Sequence, residues 1–213
     1  MNLTTRTLFM LAIAAVPAAF AQKWELGGGA GGGFYTSTDV TNPLGNASAK
    51  FSSNIAASAW LDNSGGNLFG GELRYDYQRG DAKLSSGGAN ATFSAQSHAA
   101  HYDILFHFAP RSSPVRPFVA AGGGVKIYQG TGKEVSFQPL SQTALLTKTS
   151  DLQPLVSVGA GLKFNLGKVI GLRAEIHDFL TPFPNKVIAP AANSKVSGWL
   201  QDIVVSFGIG ILF

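Results

Sequence analysis

The sequence predicts an all-β protein, namely an eight-stranded antiparallel up-and-down transmembrane β-barrel that is preceded by a cleaved signal peptide. Three observations lead to this prediction. Apolar and small or polar residues alternate along eight segments, short and long connections alternate between them, and aromatic residues gather at both segment ends. Period-two alternation is typical of strands whose two faces meet different surroundings.

The first residues have the pattern of an export signal. Arg6 is followed by an apolar run over residues 8–16 and by the small-residue site Ala19-Phe20-Ala21. We therefore expect a signal peptide at residues 1–21 and one barrel domain at residues 22–213. The apolar run is much shorter than the roughly 20 residues that a membrane helix needs.

The last segment shows two distinct faces. One face is apolar and bulky, whereas the other is small and becomes polar away from the end. The bulky face comprises Ile203, Val205, Phe207, Ile209, Ile211 and Phe213, and the other comprises Asp202, Val204, Ser206, Gly208, Gly210 and Leu212. A transmembrane barrel turns its apolar face to lipid and its small, polar face to the lumen.

The other segments follow the same rule in chain order. Residues 23–35 alternate apolar residues with Glu25 and glycines. Residues 51–61 place Phe51 and Ile55 outward, with Trp60 inward as an exception. The remaining segments are residues 68–78, a segment that ends over 102–108, and residues 118–128, 152–165 and 169–180.

The connections between segments sort by length. Residues 62–67, 109–117 and 165–168 are short and rich in Gly, Pro, Asn and Ser, whereas 36–50, 79–91, 129–149 and 181–195 are long. Up-and-down barrels have short periplasmic turns and longer outer loops, so the predicted order is that of a barrel. A Greek-key sandwich has no reason to sort its loops in this way.

Aromatic residues at both segment ends predict the two interface girdles of a membrane barrel. The predicted girdle residues are Trp24, Phe34, Phe69, Tyr75, Tyr77, Phe106, Phe108, Phe164 and Trp199. Phe51 is expected beside the outer girdle.

Charged residues of both signs fall on the inward face, where they predict a lumen charge network. Its members are Glu25, Glu72, Arg74, Asp76, His101, Asp103, His107, Lys126, Lys163, Arg173, Glu175, His177 and Asp202. An eight-stranded barrel is just wide enough to be filled by side chains, so we expect a plugged lumen, with inward glycines making room. A narrow channel is the alternative. Strand register is not fixed by the sequence, and pairs such as Arg74 with Asp103 stay open.

No cofactor, metal ligand set or catalytic site is predicted. His98 and His101 point to opposite faces of a strand, and His101 and His107 are about 20 Å apart, so neither pair chelates one ion. His101 with Asp103, or His177 with Glu175, resembles part of a Ser-His-acid triad. This leaves a lipid-A-modifying enzyme as an alternative, although both pairs point into the lumen.

Composition excludes two further classes. With no cysteine, the chain has no disulfide framework, so a closed sheet or a core must hold the fold. The formal net charge is +4 without a cluster of Lys and Arg, which is no footprint for a nucleic-acid partner.

Three stretches resemble the small eight-stranded outer-membrane barrels of Gram-negative bacteria, which are typified by the OmpA transmembrane domain and OmpX. They are the last strand, the stretch 116–125 and the stretch 172–178. The resemblance implies an outer-membrane location and contact with outer-membrane lipids and lipopolysaccharide. It also implies that Phe207, Ile209, Ile211 and Phe213 carry the signal read by the barrel-assembly machinery. We expect a non-enzymatic structural or surface role, with an extracellular partner bound through the long loops.

Overall fold

A computed structural model describes residues 24–43, 45–64, 66–135, 137–196 and 198–213. The predicted signal peptide and the domain boundary after it lie outside these residues. Nearly all of the described chain is strand or turn, and no helix among the described residues is long and apolar enough to span a membrane.

Thirteen strands form over the described residues. They are β1 Trp24–Tyr35, β2 Thr38–Asn42, β3 Gly45–Phe51, β4 Asn54–Asn63, β5 Phe69–Ser86, β6 Ala89–His107, β7 Val115–Gly130, β8 Ala144–Leu146, β9 Ser150–Leu166, β10 Ile170–Pro182, β11 Ile188–Pro190, β12 Lys195–Val196 and β13 Trp199–Leu212.

Eight of these strands close into a ring in which every neighbouring pair is antiparallel. The order is β1, β4, β5, β6, β7, β9, β10, β13 and back to β1. Trp24 and Phe213 exchange two backbone hydrogen bonds of 2.9 and 3.0 Å where the first and last strands meet. The eight-stranded up-and-down fold predicted from alternation is therefore confirmed. Closure leaves the ring without an unpaired edge, as hydrocarbon requires.

The two faces of the ring differ as the alternation predicted. Large apolar side chains stand outward, and Leu73, Ile104 and Phe207 are 57%, 60% and 67% exposed. Neighbouring inward positions such as Arg74 and Asp103 are buried. This is the reverse of a soluble barrel, whose apolar residues converge on the centre.

The long connections are more ordered than the sequence indicated. The expected loop at residues 79–91 is the top of one hairpin, because β5 and β6 continue to a turn at Gly87 and Gly88, whose φ angles are +54° and +87°. The expected loop at 36–50 holds the β2–β3 hairpin, and β8 pairs with β11 across the remaining two long connections. The predicted short connections hold bends and turns at their described central residues, and the strands extend into their ends.

Together these hairpins and loops form an apolar cluster at the end of the ring opposite the termini, here called the cap. Its buried members are Val40, Ala49, Phe51, Ala82, Leu84, Ala91, Phe93, Ala95, Tyr128, Ala144, Leu146, Phe183, Val187, Ile188 and Leu200.

The prediction for Phe51 was wrong. It was expected on the outer surface with Ile55, but it is buried in the cap, where its ring lies 5.2 Å from that of Tyr35 and 5.3 Å from that of Tyr128. The chain leaves strand geometry at residues 52–53, so Phe51 and Ile55 belong to two strands and the alternation does not run through both.

Candidate functional site: the lumen charge network

The thirteen residues of the predicted lumen charge network lie inside the ring, and none is more than 5% exposed. Their strands bring them there because each occupies a position whose neighbours along the chain face outward. Groups of this kind are costly to bury unless they are paired, so the contacts between them decide what the lumen can do.

Arg173 on β10 contacts more carboxylates than any other described residue. Its guanidinium donates to Glu25 at 2.7 Å, to Asp62 at 2.6 Å and to Glu175 at 3.1 Å, and it also pairs with Glu72. These carboxylates come from β1, β4, β5 and β10, so a single side chain ties together strands on both sides of the lumen. The planar five-donor fork of arginine suits such contacts better than the single ammonium of lysine.

Trp60 is the aromatic centre of the same layer. The guanidinium carbon of Arg173 lies 4.6 Å from the centre of its ring, and that of Arg74 lies 5.6 Å away. The indole N–H donates to Glu25 at 3.0 Å, so the ring's polar atom is satisfied. The inward Trp60, an exception in the sequence pattern, is thus part of the network, because both arginines make cation–π contacts with it.

Gly27 and Gly208 make room for that ring. A Cβ atom on Gly208 would overlap the Trp60 ring, whereas a Cβ on Gly28, which faces outward, would approach only the Ser58 carbonyl at 3.3 Å. We expect Gly208→Ala to destabilise the folded barrel by about 1–3 kcal/mol, since overfilling a packed site forces shifts. Gly28→Ala, the matched control, is expected to unfold at the wild-type urea concentration; equal stability of both variants would contradict this account of Gly208.

Arg74 on β5 forms a second centre. It donates to Asp76 at 3.2 Å and to Glu72 at 3.4 Å, and it makes a short ion pair with Glu175 across the lumen. Arg74 and Arg173 therefore share Glu72 and Glu175, which makes one continuous network of the two centres. Breaking a buried network of this kind leaves uncompensated charge.

His101 and His177 extend this network towards the cap. The two ring nitrogens of His101 each lie 3.0 Å from a carboxylate oxygen, one from Asp103 and the other from Asp76. Only an imidazolium donates to both. His177 lies 3.4 Å from Glu175 and 3.9 Å from Asp103, and it stacks on a neighbouring aromatic ring at 5.8 Å.

Lys126 and Asp202 form the layer beneath the cap. They make a buried ion pair, and Gln78 donates to the same Asp202 oxygen at 2.6 Å. Three aromatic rings surround the ammonium at 5.0–5.3 Å, those of Tyr35, Tyr128 and Phe179. This layer joins the ionic network to the apolar cap.

The network ends at the short-turn end with Lys163, which bonds Asp62 and lies 3.5 Å from Glu25. His107 is fully buried there, 5.8 Å from the Phe118 ring centre, and neither of its ring nitrogens has a hydrogen-bond partner among the described residues. The structure therefore places His107 inside the barrel but apart from the ion pairs.

Sequence reasoning missed Asp62, Arg116 and Gln78 as lumen residues. Asp62 was assigned to a turn, but it continues the inward parity of Trp60 and is fully buried. Arg116 continues the parity of Phe118 and is 4% exposed. Extending the alternation to each strand end would have found both. They were missed because the turn-forming residues nearby indicated that the strands end earlier.

The predicted girdle and terminal-strand residues face outward. Phe69 and Phe106 contact each other at 5.2 Å, as do Phe106 and Phe108, and the Tyr75 hydroxyl lies 2.7 Å from His98 Nδ1. Exposure ranges from 36% to 67% for Trp24, Phe34, Phe69, Tyr75, Phe108, Trp199, Phe207, Ile209, Ile211 and Phe213, and Tyr77, Phe106 and Phe164 are half-buried.

The arrangement around the lumen histidines differs from a Ser-His-acid triad. Ser157 donates directly to Asp103 at 3.2 Å rather than to a ring nitrogen. His101 and His177 are both buried, at 2% and 1% exposure, inside the ring and away from its lipid-facing wall. His98, by contrast, stands on the outer surface beside Tyr75 and Tyr77.

Solved structures similar to this chain include an outer-membrane protein and a surface protein. The chain is similar to the outer membrane protein OprG from Pseudomonas aeruginosa, with a TM-score of 0.57 and 11% identity over 90% of this chain and 97% of that one. It is also similar to Neisserial surface protein A, with a TM-score of 0.52 and 11% identity over 90% and 97%. At this identity the likeness shows the fold alone. A search of curated proteins finds no match.

The family is shown by sequence. The profile of the Outer membrane protein beta-barrel domain matches residues 7–207, which is most of the chain. The predicted resemblance to small outer-membrane barrels and the predicted location are thereby confirmed. The chain belongs to the outer membrane protein beta-barrel domain family and is an outer-membrane protein.

Proposed function

We propose that this barrel is a closed, non-enzymatic protein of the outer membrane, with a structural role and a role in surface contacts. One observation carries the proposal: two successive groups of buried side chains lie within the barrel, the ionic network below and the apolar cap above. By the usual orientation of such barrels, the short turns lie in the periplasm and the cap lies outside the cell.

The ionic network supports a closed lumen rather than an ion-conducting channel. Arg74, Arg173 and Trp60 occupy the cross-section of a ring that is only eight strands around, and each charged group is held by several partners. A conducting pore needs binding that is weak enough for ions to leave. Multiply paired buried side chains have little freedom to move aside.

The cap supports the same conclusion for a different reason. Its side chains are apolar and close-packed, and Phe51, Leu84 and Leu146 are at most 4% exposed. An apolar constriction excludes water and therefore ions, even where its radius would admit them. An ion that crossed the ionic layer would still meet this barrier.

Planar-bilayer recording tests the plug. We expect the intact chain to give no current steps above the lipid baseline in concentrated KCl, while a wide porin reconstituted alongside gives steps. Reproducible steps that scale with salt concentration would instead support the narrow channel.

A non-enzymatic role is supported by where the candidate acid–base pairs lie. An enzyme acting on lipid A needs its reacting groups on the lipid-facing wall or at its edge, where the substrate can reach them. His101 and His177, with their carboxylate neighbours, are enclosed by the ring.

Surface contact is supported by apolar groups at the extracellular end. Val135 and Phe137, in the connection between β7 and β8, are 61% and 78% exposed, although they lie beyond the lipid-facing wall. Exposed aromatic residues of this kind are common anchors in binding surfaces. The extracellular partner that we propose is therefore one with a complementary apolar patch.

Two further partners follow from the outer wall. The girdle residues Tyr75 and Tyr77, with His98 between them, form a polar-tipped aromatic patch suited to the level of lipopolysaccharide headgroups. For the barrel-assembly machinery we propose the exposed outer face of β13, including Phe207, together with Phe213, which follows the strand.

A further inference from the structure

A cavity of about 450 Å³ opens at the periplasmic end of the barrel, beneath the ionic network. We call it the vestibule; its lining includes Arg111, Ser112, Ser113, Arg116, Lys163 and Asp62. The vestibule lies at the opposite end from the cap and takes no part in the proposed surface role. Its lining carries four cationic side chains, of Arg111, Arg116, Lys163 and Lys168, against the two carboxylates of Glu25 and Asp62.

Arg116 is the first reason to look for a ligand there. It is 4% exposed, yet among the described residues its guanidinium donates only to two backbone carbonyls, of Ala109 at 3.4 Å and Asn67 at 3.2 Å. It also stands directly opposite Lys163 in the β7–β9 register, so two cations face each other. Like charges directly opposite each other destabilise a sheet, and here Asp62 pairs with Lys163 and not with Arg116.

The other buried cations of the lumen differ from Arg116 in their partners. Arg74, Lys126, Lys163 and Arg173 each have a carboxylate within ion-pair distance. Across the ranges that the structure describes, Arg116 has none. A buried charge of this kind normally finds a partner, because leaving it unpaired is costly.

Arg111 adds a second cation on the turn that closes the vestibule. Burial lowers the pKa of its guanidinium, and the nearby charge of Asp62 only partly opposes this effect. No ion pair of Arg111 occurs among the described residues. Two arginines with unused donors therefore line one cavity.

The carboxylates of the vestibule are already engaged. Asp62 accepts from Lys163, from Arg173 at 2.6 Å and from Ser64 at 2.5 Å, and Glu25 accepts from Arg173 at 2.7 Å. Within the part of the chain that the structure describes, neither carboxylate makes an ion pair with Arg111 or Arg116. The positive charge of the vestibule therefore faces the periplasm.

We propose that the vestibule binds an anion with a phosphate or carboxylate group, held by Arg111 and Arg116. Planar guanidinium groups bind such oxyanions through paired N–H donors, and the Ser112 and Ser113 side chains supply further hydroxyls at the rim. Two sources share this chemistry: a free periplasmic anion and the headgroup of an inner-leaflet phospholipid. Anion binding in the vestibule does not depend on whether the lumen conducts.

The test uses the full chain in a phosphate-free, uncharged maltoside detergent. Calorimetric titration with inorganic phosphate measures the free anion, and native mass spectrometry after incubation with phosphatidylglycerol measures retained lipid. We expect Arg111→Gln, on an exposed turn, to weaken binding about tenfold, which corresponds to about 1.4 kcal/mol. Arg116→Gln is expected to do the same if its heat-modifiable gel mobility shows a folded barrel.

Arg79→Gln is the control, because Arg79 is an exposed arginine on β5 well away from the vestibule. Loss of phosphate binding in Arg111→Gln but not in the control would support a free anion, and loss of lipid adducts alone would support a headgroup. If wild type, Arg111→Gln and Arg79→Gln bind both probes equally, or bind neither, the vestibule is not an anion site.

Discussion

Replacing Arg173 by methionine is expected to be the most damaging single substitution in this barrel. Methionine keeps much of the volume but removes the donors that hold Glu25, Asp62, Glu72 and Glu175 together. Removing one partner of a buried ionic network typically costs about 3–5 kcal/mol, because the remaining charges stay buried without compensation. The urea concentration at half-unfolding, followed by heat-modifiable gel mobility in lipid vesicles, measures the loss.

Two companion variants separate charge from shape. Arg173→Lys keeps a charge but lacks the planar fork, so we expect a loss between those of wild type and Arg173→Met. Adding Glu72→Gln to Arg173→Met removes one uncompensated carboxylate, and we expect it to restore part of the stability. Arg79→Gln, outside the network, should unfold as wild type does. If Arg173→Met also unfolded at the wild-type urea concentration, the network would not be what holds the ring in one arrangement.

Which residues face the lumen was predictable, because a strand has a period of two. Glu72, Arg74 and Asp76 alternate with apolar residues, and the structure buries all three. The eight strands of the ring and the turns between them were also predictable, since alternation can be recognised in the local sequence. Trp60 follows the same alternation and therefore faces the lumen, although large aromatic residues of such barrels usually face the membrane interfaces. The two arginines beside it explain this position, because both make cation–π contacts with its ring.

Which lumen residues touch each other was not predictable, because contacts depend on register and on the stagger of the closed ring. Arg74 and Asp103 lie on neighbouring strands, so parity alone allows a pair. The register sets Arg74 opposite His101, and its closest carboxylate is Glu175, from a strand that is not a neighbour. The distance in sequence between Arg74 and Glu175 hides this contact.

The cap was missed for a related reason. Its strands lie in segments whose glycines, serines and asparagines indicate loops, and the sequence signal of each segment is weak when read alone. Phe51 shows the result, because the break at residues 52–53 reverses its face. Only the joint packing of four connections makes an apolar core there.

Because two layers lie in series in the lumen, we expect ions to pass only when both layers are opened. Removing the β2–β3 hairpin, residues 38–51, takes Val40, Ala49 and Phe51 out of the cap. The hairpin also spans the mouth, since the Asn42 amide donates to the Ser194 hydroxyl at 2.7 Å. We expect the shortened barrel to remain non-conducting in planar bilayers, because the ionic network below the cap is intact.

The matching change in the ionic layer is Arg74→Ser with Glu175→Ser. Removing both members of an ion pair keeps the lumen charge balanced, so the barrel is expected to fold, with some loss of stability. This pair variant alone should also stay closed, because the apolar cap still excludes water. Only the combination with the hairpin deletion is expected to give current steps that grow with KCl concentration.

The combination separates two sealed layers from a single seal. Two independent barriers in series require that both be removed before ions pass, so each single change must be silent and the combination must not be. Steps from the hairpin deletion alone would mean that the ionic network admits ions and that the cap is the only seal. Steps from the pair variant alone would mean that the cap leaks and that the charged side chains close the lumen. A silent combination, with folding verified by gel mobility, would mean that the rest of the network, centred on Arg173 and Trp60, fills the ring without Arg74 and Glu175.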